Sequence, residues 1–298
     1  MSIIYPLLRL VHKEFTHAAP KWSIVHSTDI SFLEKECNTP SEFDPYHTRK
    51  NMMQRYKSGQ SAIKTMRCEY GQVTVIYYDN TQYNDIPWEL WGRILRLYTD
   101  SFSKNKIKFK IFFLASPHLR TFPDGEITPY NINGPHTMYK PHKPIGPHNI
   151  NGGYTYPCNH ETIIIYRAED ATRVLIHELM HSCCLDNMAL GIDQVEAETE
   201  AWAELIYIAL LSRGTAMFYT LLQKQSAWII NQNEKVVRHI TTPKQFPWRY
   251  TIGKEEVWRR WNILKHASID VGNSLRLTCP PTNSIKQSFG VTTKSTIL

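Results

Sequence analysis

Two histidines four residues apart, with a glutamate directly after the first, are a combination that can do metal chemistry. The pentad His177-Glu178-Leu179-Met180-His181 has that spacing. On an α-helix, positions i and i+4 lie on one face, so both imidazoles can hold a single ion. Zinc (Zn2+) suits such a site. Held by three protein ligands, it keeps a fourth position for water and lowers that water's pKa to about 7, with Glu178 placed to take the proton as general base. The chemistry implied is hydrolysis of a peptide bond. A third ligand must come from elsewhere, and residues 195–205 offer Glu196, Glu200 and Glu204 at successive i+4 spacings. Like charges stacked in that way repel each other. The Ala, Trp, Leu and Ile residues among them argue for burial, and a buried carboxylate wants a cation.

The elements that must position these groups are legible around them. Residues 162–167 form a β-branched run that predicts a strand, and Asp170 stands where it can cap a following helix whose apolar positions are Val174, Leu175, Met180 and Leu185. Upstream, residues 72–79 predict a strand. Residues 87–102 predict an amphipathic helix carrying Trp91, Ile94, Leu95 and Tyr98, and 107–115 a second strand. Residues 116–151 read as a long loop, with Pro-His pairs at 135, 141 and 147 and Asn-Ile-Asn-Gly at both 131 and 149; loops of that length are commonly functional or mobile. Gly152, Gly153 and Tyr154 then predict a short edge strand, able to pair with an extended peptide through backbone hydrogen bonds. The pattern from 195 to 265 is helical, and residues after about 280, with Pro280-Pro281 and many Ser and Thr, predict a flexible tail.

Eighteen residues separate His181 from Glu200. That separation resembles the gluzincin class of zinc peptidases, in which a glutamate on the next helix is the third ligand and an acid four positions on hydrogen-bonds a metal-binding imidazole. The resemblance implies His177, His181 and Glu200 as ligands and Glu204 as the acid that orients a ring, with Glu196 supporting the site from one turn before. More specifically, Asn151-Gly-Gly-Tyr-Thr155, Ile163-Ile-Ile-Tyr-Arg-Ala-Glu169, Arg173-Val-Leu-Ile-His-Glu-Leu-Met-His181, Leu185-Asp186 and residues 196–203 are similar to zinc metallopeptidases encoded by large nucleocytoplasmic DNA viruses. The likeness covers residues 120–265. Its members lead us to expect a tyrosine near the domain's end as a transition-state hydrogen-bond donor, where this chain has Arg259-Arg260-Trp261-Asn262.

The fold class expected is α+β: a zincin-like, two-lobed metallopeptidase with a small twisted sheet, an active-site helix and a helical C-terminal lobe. The boundaries expected are an N-terminal extension over 1–60, a catalytic domain over 61–266 (sheet lobe 61–168, helical lobe 169–266) and a tail over 267–298. A chain of 298 residues with 42% hydrophobic content can bury a substantial core. No stretch approaches the roughly 20 apolar residues of a membrane span, and the N-terminal segment, interrupted by Pro6 and Arg9, lacks a signal-peptide pattern. The expectation is a soluble intracellular protein, in the host cytoplasm during infection and packaged in virions in one version of the reading. Six cysteines in a chain of this length do not make a disulfide framework, so reduced thiols are expected; Cys158-x-His160 is an isolated pair with no partner pair at zinc-site spacing. The net charge of +7 is spread along the chain, with short clusters at 104–110 and at Arg259-Arg260, and no nucleic-acid motif accompanies it. The partners expected are a protein or peptide substrate, by endopeptidase action, and other virion proteins. Two alternatives use other features: a catalytically silent virion scaffold stabilised by zinc, which has no use for Glu178, and a basic nucleic-acid-binding module.

Overall fold

The computed structural model describes residues 3–26, 29–102, 107–123, 143–240, 246–265 and 267–291. In chain order the elements are α1 (Ile4–Thr16), β1 (Ser23–Val25), α2 (Ser31–Asn38), α3 (Thr48–Lys57), β2 (Ala62–Cys68), β3 (Gly71–Tyr77), α4 (Asn80–Asn84), α5 (Trp88–Ser101), β4 (Phe109–Leu114), α6 (Pro147–Ile150), β5 (Gly153–Tyr154), β6 (Ile163–Ile165), α7 (Ala171–Ser182), α8 (Ile192–Leu211), α9 (Met217–Val236), α10 (Ile252–Arg260) and α11 (Asn283–Ser288). One mixed, open sheet carries all six strands in the order β1-β2-β3-β4-β6-β5. The arrangement is compatible with the α+β class expected.

Alternation along the strands decides which helices cover which face. A strand directs successive side chains to opposite faces. On one face Val73, Val75, Ile111, Phe113, Ile163 and Ile165 join the large core built with α1, α5, α7, α8, α9 and α10. On the other, Ile76, Phe112, Leu114 and Ile164 meet Leu33, Cys37, Met52 and Met53 of α2 and α3. The centre of the sheet, β3-β4-β6, is parallel. Such strands are covered on both faces and therefore read as nearly continuous apolar runs. The antiparallel strand β5 pairs only with β6, so its other side is an edge, as its short glycine-containing sequence predicts.

Residues 3–60 are built into this architecture. They supply strand β1, paired with β2, and the two helices of the second layer. Glu14 of α1 is salt-bridged to Arg93 and Arg96 of α5. The C-terminal segment differs from the flexible tail expected. Leu275 and Leu277 are buried in a third cluster with Ile150 and Val236, and Ile285 of α11 and Phe289 are buried in the main core. The serines and threonines here are structural: Thr278 Oγ1 donates to Glu204 Oε1 at 2.6 Å, and the Cys279 amide to Gln225 Oε1 at 2.7 Å. Residues 292–298, the Pro-His pairs at 135 and 141, the Asn-Ile-Asn-Gly at 131 and the lysine cluster beginning at 104 lie wholly or partly outside the described residues. Among those described, no helix is long and apolar enough to cross a membrane.

Candidate metal centre

Helix α7 follows β6 directly and packs between the sheet and α8. Asp170 occupies its N-cap position with a left-handed φ of 59°, but its side chain makes no cap hydrogen bond. The carboxylate instead binds Arg276 of the C-terminal segment, with Arg276 Nε at 3.0 Å. Val174, Leu175 and Met180 are buried as expected, whereas Leu185 lies beyond the helix and is 38% exposed.

Two ladders of four-residue spacing face one another across α7 and α8. On α7 they are Arg173, His177 and His181; on α8, Glu196, Glu200 and Glu204. Arg173 meets Glu200 and Glu204, while His177 meets Glu196 and Glu200 and His181 meets Glu196, so the ladders run in opposite directions. The imidazole Nε2 atoms of His177 and His181 are 3.0 Å apart. Glu196 Oε2 lies 3.4 Å from the first and 3.8 Å from the second. These three atoms form the one group among the described residues whose donor atoms converge closely enough for an ion.

The donor set fits zinc on physical grounds. Glu196 Oε2 is buried and meets only the two imidazoles, at 3.4 and 3.8 Å, without a well-formed hydrogen bond, a costly state for a carboxylate oxygen that a cation would relieve. Ligand atoms about 2.05 Å from a tetrahedral zinc stand about 3.3 Å from each other, and the three separations bracket that value. The acids around the rings complete the arrangement. Asp186 Oδ2 lies 2.8 Å from His181 Nδ1 and its Oδ1 accepts from Thr199 Oγ1 at 3.1 Å, while Glu200 Oε1 lies 3.0 Å from His177 Nδ1. Carboxylates against the non-coordinating ring nitrogen fix the tautomer and the ring's orientation.

The glutamate nearest the two Nε2 atoms therefore stands one turn before the one expected. Glu196, not Glu200, faces the Nε2 atoms. The reason is Arg173, one turn before His177: its guanidinium holds both oxygens of Glu200, one at 2.8 Å, with both side chains buried. Glu204 touches neither imidazole. Its oxygens take the Thr278 hydroxyl and lie 3.5 Å from Lys254 Nζ and 3.6 Å from Arg173 Nε in a buried ionic cluster.

Electrostatics distinguish the carboxylates. Burial raises Glu178 to about 7, with the two imidazoles opposing it and Glu196 and Glu200 adding to it. Burial works against the charge on Glu200, but Arg173 and then His177 outweigh it and hold Glu200 well below the usual carboxylate range. Burial also opposes a proton on His177, yet the Glu200 charge and hydrogen bonding to Glu196 and Glu200 lift it to about 10. Uptake of a metal must displace that proton.

These groups line a cleft of about 220 Å³ together with Gly152, Gly153, Tyr154, Arg120 and Tyr250. Glycine at 153 is a spatial requirement: a Cβ there would come within 2.6 Å of Val174 Cγ1 and 3.3 Å of Glu178 Oε1. The edge strand thus approaches the acid side chain as closely as backbone allows. Tyr154 anchors it, its hydroxyl donating to Glu36 Oε2 at 2.7 Å and accepting from Arg49 Nη1 at 2.5 Å.

Two features differ from the sequence reading. Tyr250, in the 3-10 turn Phe246–Tyr250, lines the cleft, whereas the resemblance directs the expectation to residues 259–262. Burial, then the Glu196 charge, keeps its phenol protonated well beyond neutral pH. Cys158 and Cys184 form a disulfide where reduced thiols were expected, linking the segment after β5 to the end of the metal-site helix. His160 contributes nothing to the site; its Nδ1 lies 3.1 Å from Ser182 Oγ. Compared with protein-family models, curated proteins and solved structures, the chain matches none.

Proposed function

We propose that this protein is a zinc-dependent peptidase with a zincin-like arrangement, related to the viral metallopeptidases its motifs resemble. The observation that supports it most is the convergence of His177, His181 and the buried Glu196 oxygen beside an edge strand, with Glu178 buried in the same cleft. His177, His181 and Glu196 would hold zinc, which when bound supplies a Lewis acid and activates water. Glu178 takes the water's proton and passes it to the leaving amine; a carboxyl raised to about 7 is suited to both transfers near neutral pH. The β5 backbone binds an extended substrate, and the Tyr250 hydroxyl donates to the oxygen on which charge develops. Asp186 and Glu200 orient the two rings, and Arg173 keeps Glu200 in that role.

A scaffold that merely retained zinc for stability would not need a buried glutamate facing the cleft with so unfavourable a charge. The test is metal analysis of the purified protein with digestion of a peptide library by wild type and Glu178→Gln. The proposal expects one zinc in both proteins and cleavage in wild type alone. Zinc in both with cleavage in neither supports the scaffold.

A further inference from the structure

Beside the cleft lies a second cavity of about 290 Å³. Its floor carries Arg167, just after β6 and only 7% exposed. The guanidinium donates from Nη2 to the His148 carbonyl at 2.8 Å and more distantly, at 3.5 Å, from Nη1 to that of His118. It forms no ion pair among the described residues. One acid, Asp44, lines the cavity and two more lie close by, and all three are committed to other partners. Asp44 is tied to Arg49 and to the Thr48 and Arg49 amides, and Glu169 and Asp170 are shared by Arg120 and Arg276. Burial, then the charge on Arg120, pulls Arg167 down to about 10, with Tyr166, Glu169 and Asp170 opposing only in part. Exposed Lys143 adds a second positive charge to the wall. A buried cation facing a cavity favours an anion there, and the planar guanidinium matches a carboxylate.

The cavity adjoins the metal cleft, since Phe43 and Asn151 line both. Asn151 precedes Gly153 by two residues, about 7 Å along an extended chain. A peptide laid antiparallel to β5 runs its C-terminal side toward Asn151. We infer that the cavity over Arg167 is a subsite for a carboxylate of the bound peptide, two or three residues to the C-terminal side of the bond to be cleaved. The position of the subsite relative to a scissile bond rests on the peptidase reading. The preference for an anion rests on the cavity itself. Two sources share the chemistry: an Asp or Glu side chain, or the free C-terminus of a short peptide.

Binding is measured on zinc-free full-length protein, so no hydrolysis is required. The probes are fluorescein-labelled heptapeptides of alanine carrying one Glu and an amidated end, one Gln and an amidated end, or no polar side chain and a free C-terminal carboxylate. At least one anionic peptide should bind about tenfold or more tightly than the Gln peptide, as charge-assisted hydrogen bonds imply. Its identity tells side chain from terminus. Arg167→Gln should abolish the preference. Lys143→Gln, at an exposed position where folding is not at stake, should reduce it about threefold through the weaker surface charge. Equal binding of all three peptides, or tighter binding of inorganic phosphate than of either anionic peptide, overturns the inference. Library digestion with zinc-loaded protein separates the two claims: cleavage with no acidic or terminal preference removes the subsite and leaves the peptidase, whereas selective binding without cleavage removes the peptidase and leaves the subsite.

Discussion

Replacing Glu196 and Glu200 separately by Gln should produce two opposite phenotypes. Glu196 Oε2 sits between the two Nε2 atoms and has no other partner. Structural zinc sites bind with about 10–16 kcal/mol spread over four ligands, so one ligand is worth about 2.5–4 kcal/mol, or roughly 10²–10³ in affinity. In the zinc-free protein its loss removes one of the two carboxylates against the protonated His177, at 3.4 Å, but Glu200 still neutralises that ring, so folding stability should fall by less than in Glu200→Gln. Glu200 is the reverse. It contacts His177 Nδ1 at 3.0 Å, and partners of that kind change zinc affinity by about 10- to 100-fold. Its larger role is to neutralise Arg173, which is 1% exposed and would retain only Glu204 at 3.6 Å. Breaking a buried ion pair costs about 3–5 kcal/mol. Competitive zinc titration read beside urea unfolding of the zinc-free proteins gives both quantities. Glu196→Gln should lose more zinc affinity and less stability than Glu200→Gln. If Glu200→Gln loses the more zinc, Glu200 is the ligand after all and the one-turn shift is wrong.

His177→Ala should abolish stoichiometric zinc by elemental analysis, and full occupancy in that variant would reject the ligand set. Glu204→Gln should leave zinc affinity within about threefold but destabilise the fold by about 3–5 kcal/mol, because it strips the buried Lys254 of its carboxylate partner; a large loss of zinc would restore Glu204 to the imidazoles. The proposed peptidase mechanism needs Glu178 ionised, and burial raises its pKa to about 7. Activity should therefore fall as pH drops through that pKa, with the acid limb at or below 7 because bound zinc adds a positive charge that favours the carboxylate. A kcat/KM flat from pH 5 to 8 would exclude Glu178 as the base.

What could be read from the chain divides along a physical line. Local periodicity placed the strands over Gly71–Tyr77, Phe109–Leu114 and Ile163–Ile165, the helix α5 and the starts of α7 and α8 within a few residues, since each pattern reports burial of one face of one element, but it did not divide residues 195–265 into α8, α9 and α10. It also placed the edge strand, short and glycine-containing, at Gly153–Tyr154. What it could not supply was the relative rotation of two helices. Glu196, Glu200 and Glu204 are equivalent along α8 until a partner helix is laid against them, and the choice belongs to Arg173, which stands four residues before His177 and pairs with Glu200 and Glu204. An arginine continuing the histidine face of α7 predicts that the later glutamates of an antiparallel neighbour are claimed by charge and that the earliest is left for the metal. The same limit hid Tyr250 and the C-terminal segment. Their sequences are unremarkable in periodicity, and their positions follow from long-range contacts such as Thr278 with Glu204 and Lys254 with the Leu277 carbonyl at 2.6 Å. The polar, proline-containing composition that predicts disorder is, in this segment, the set of hydrogen-bonding groups that a buried ionic cluster needs.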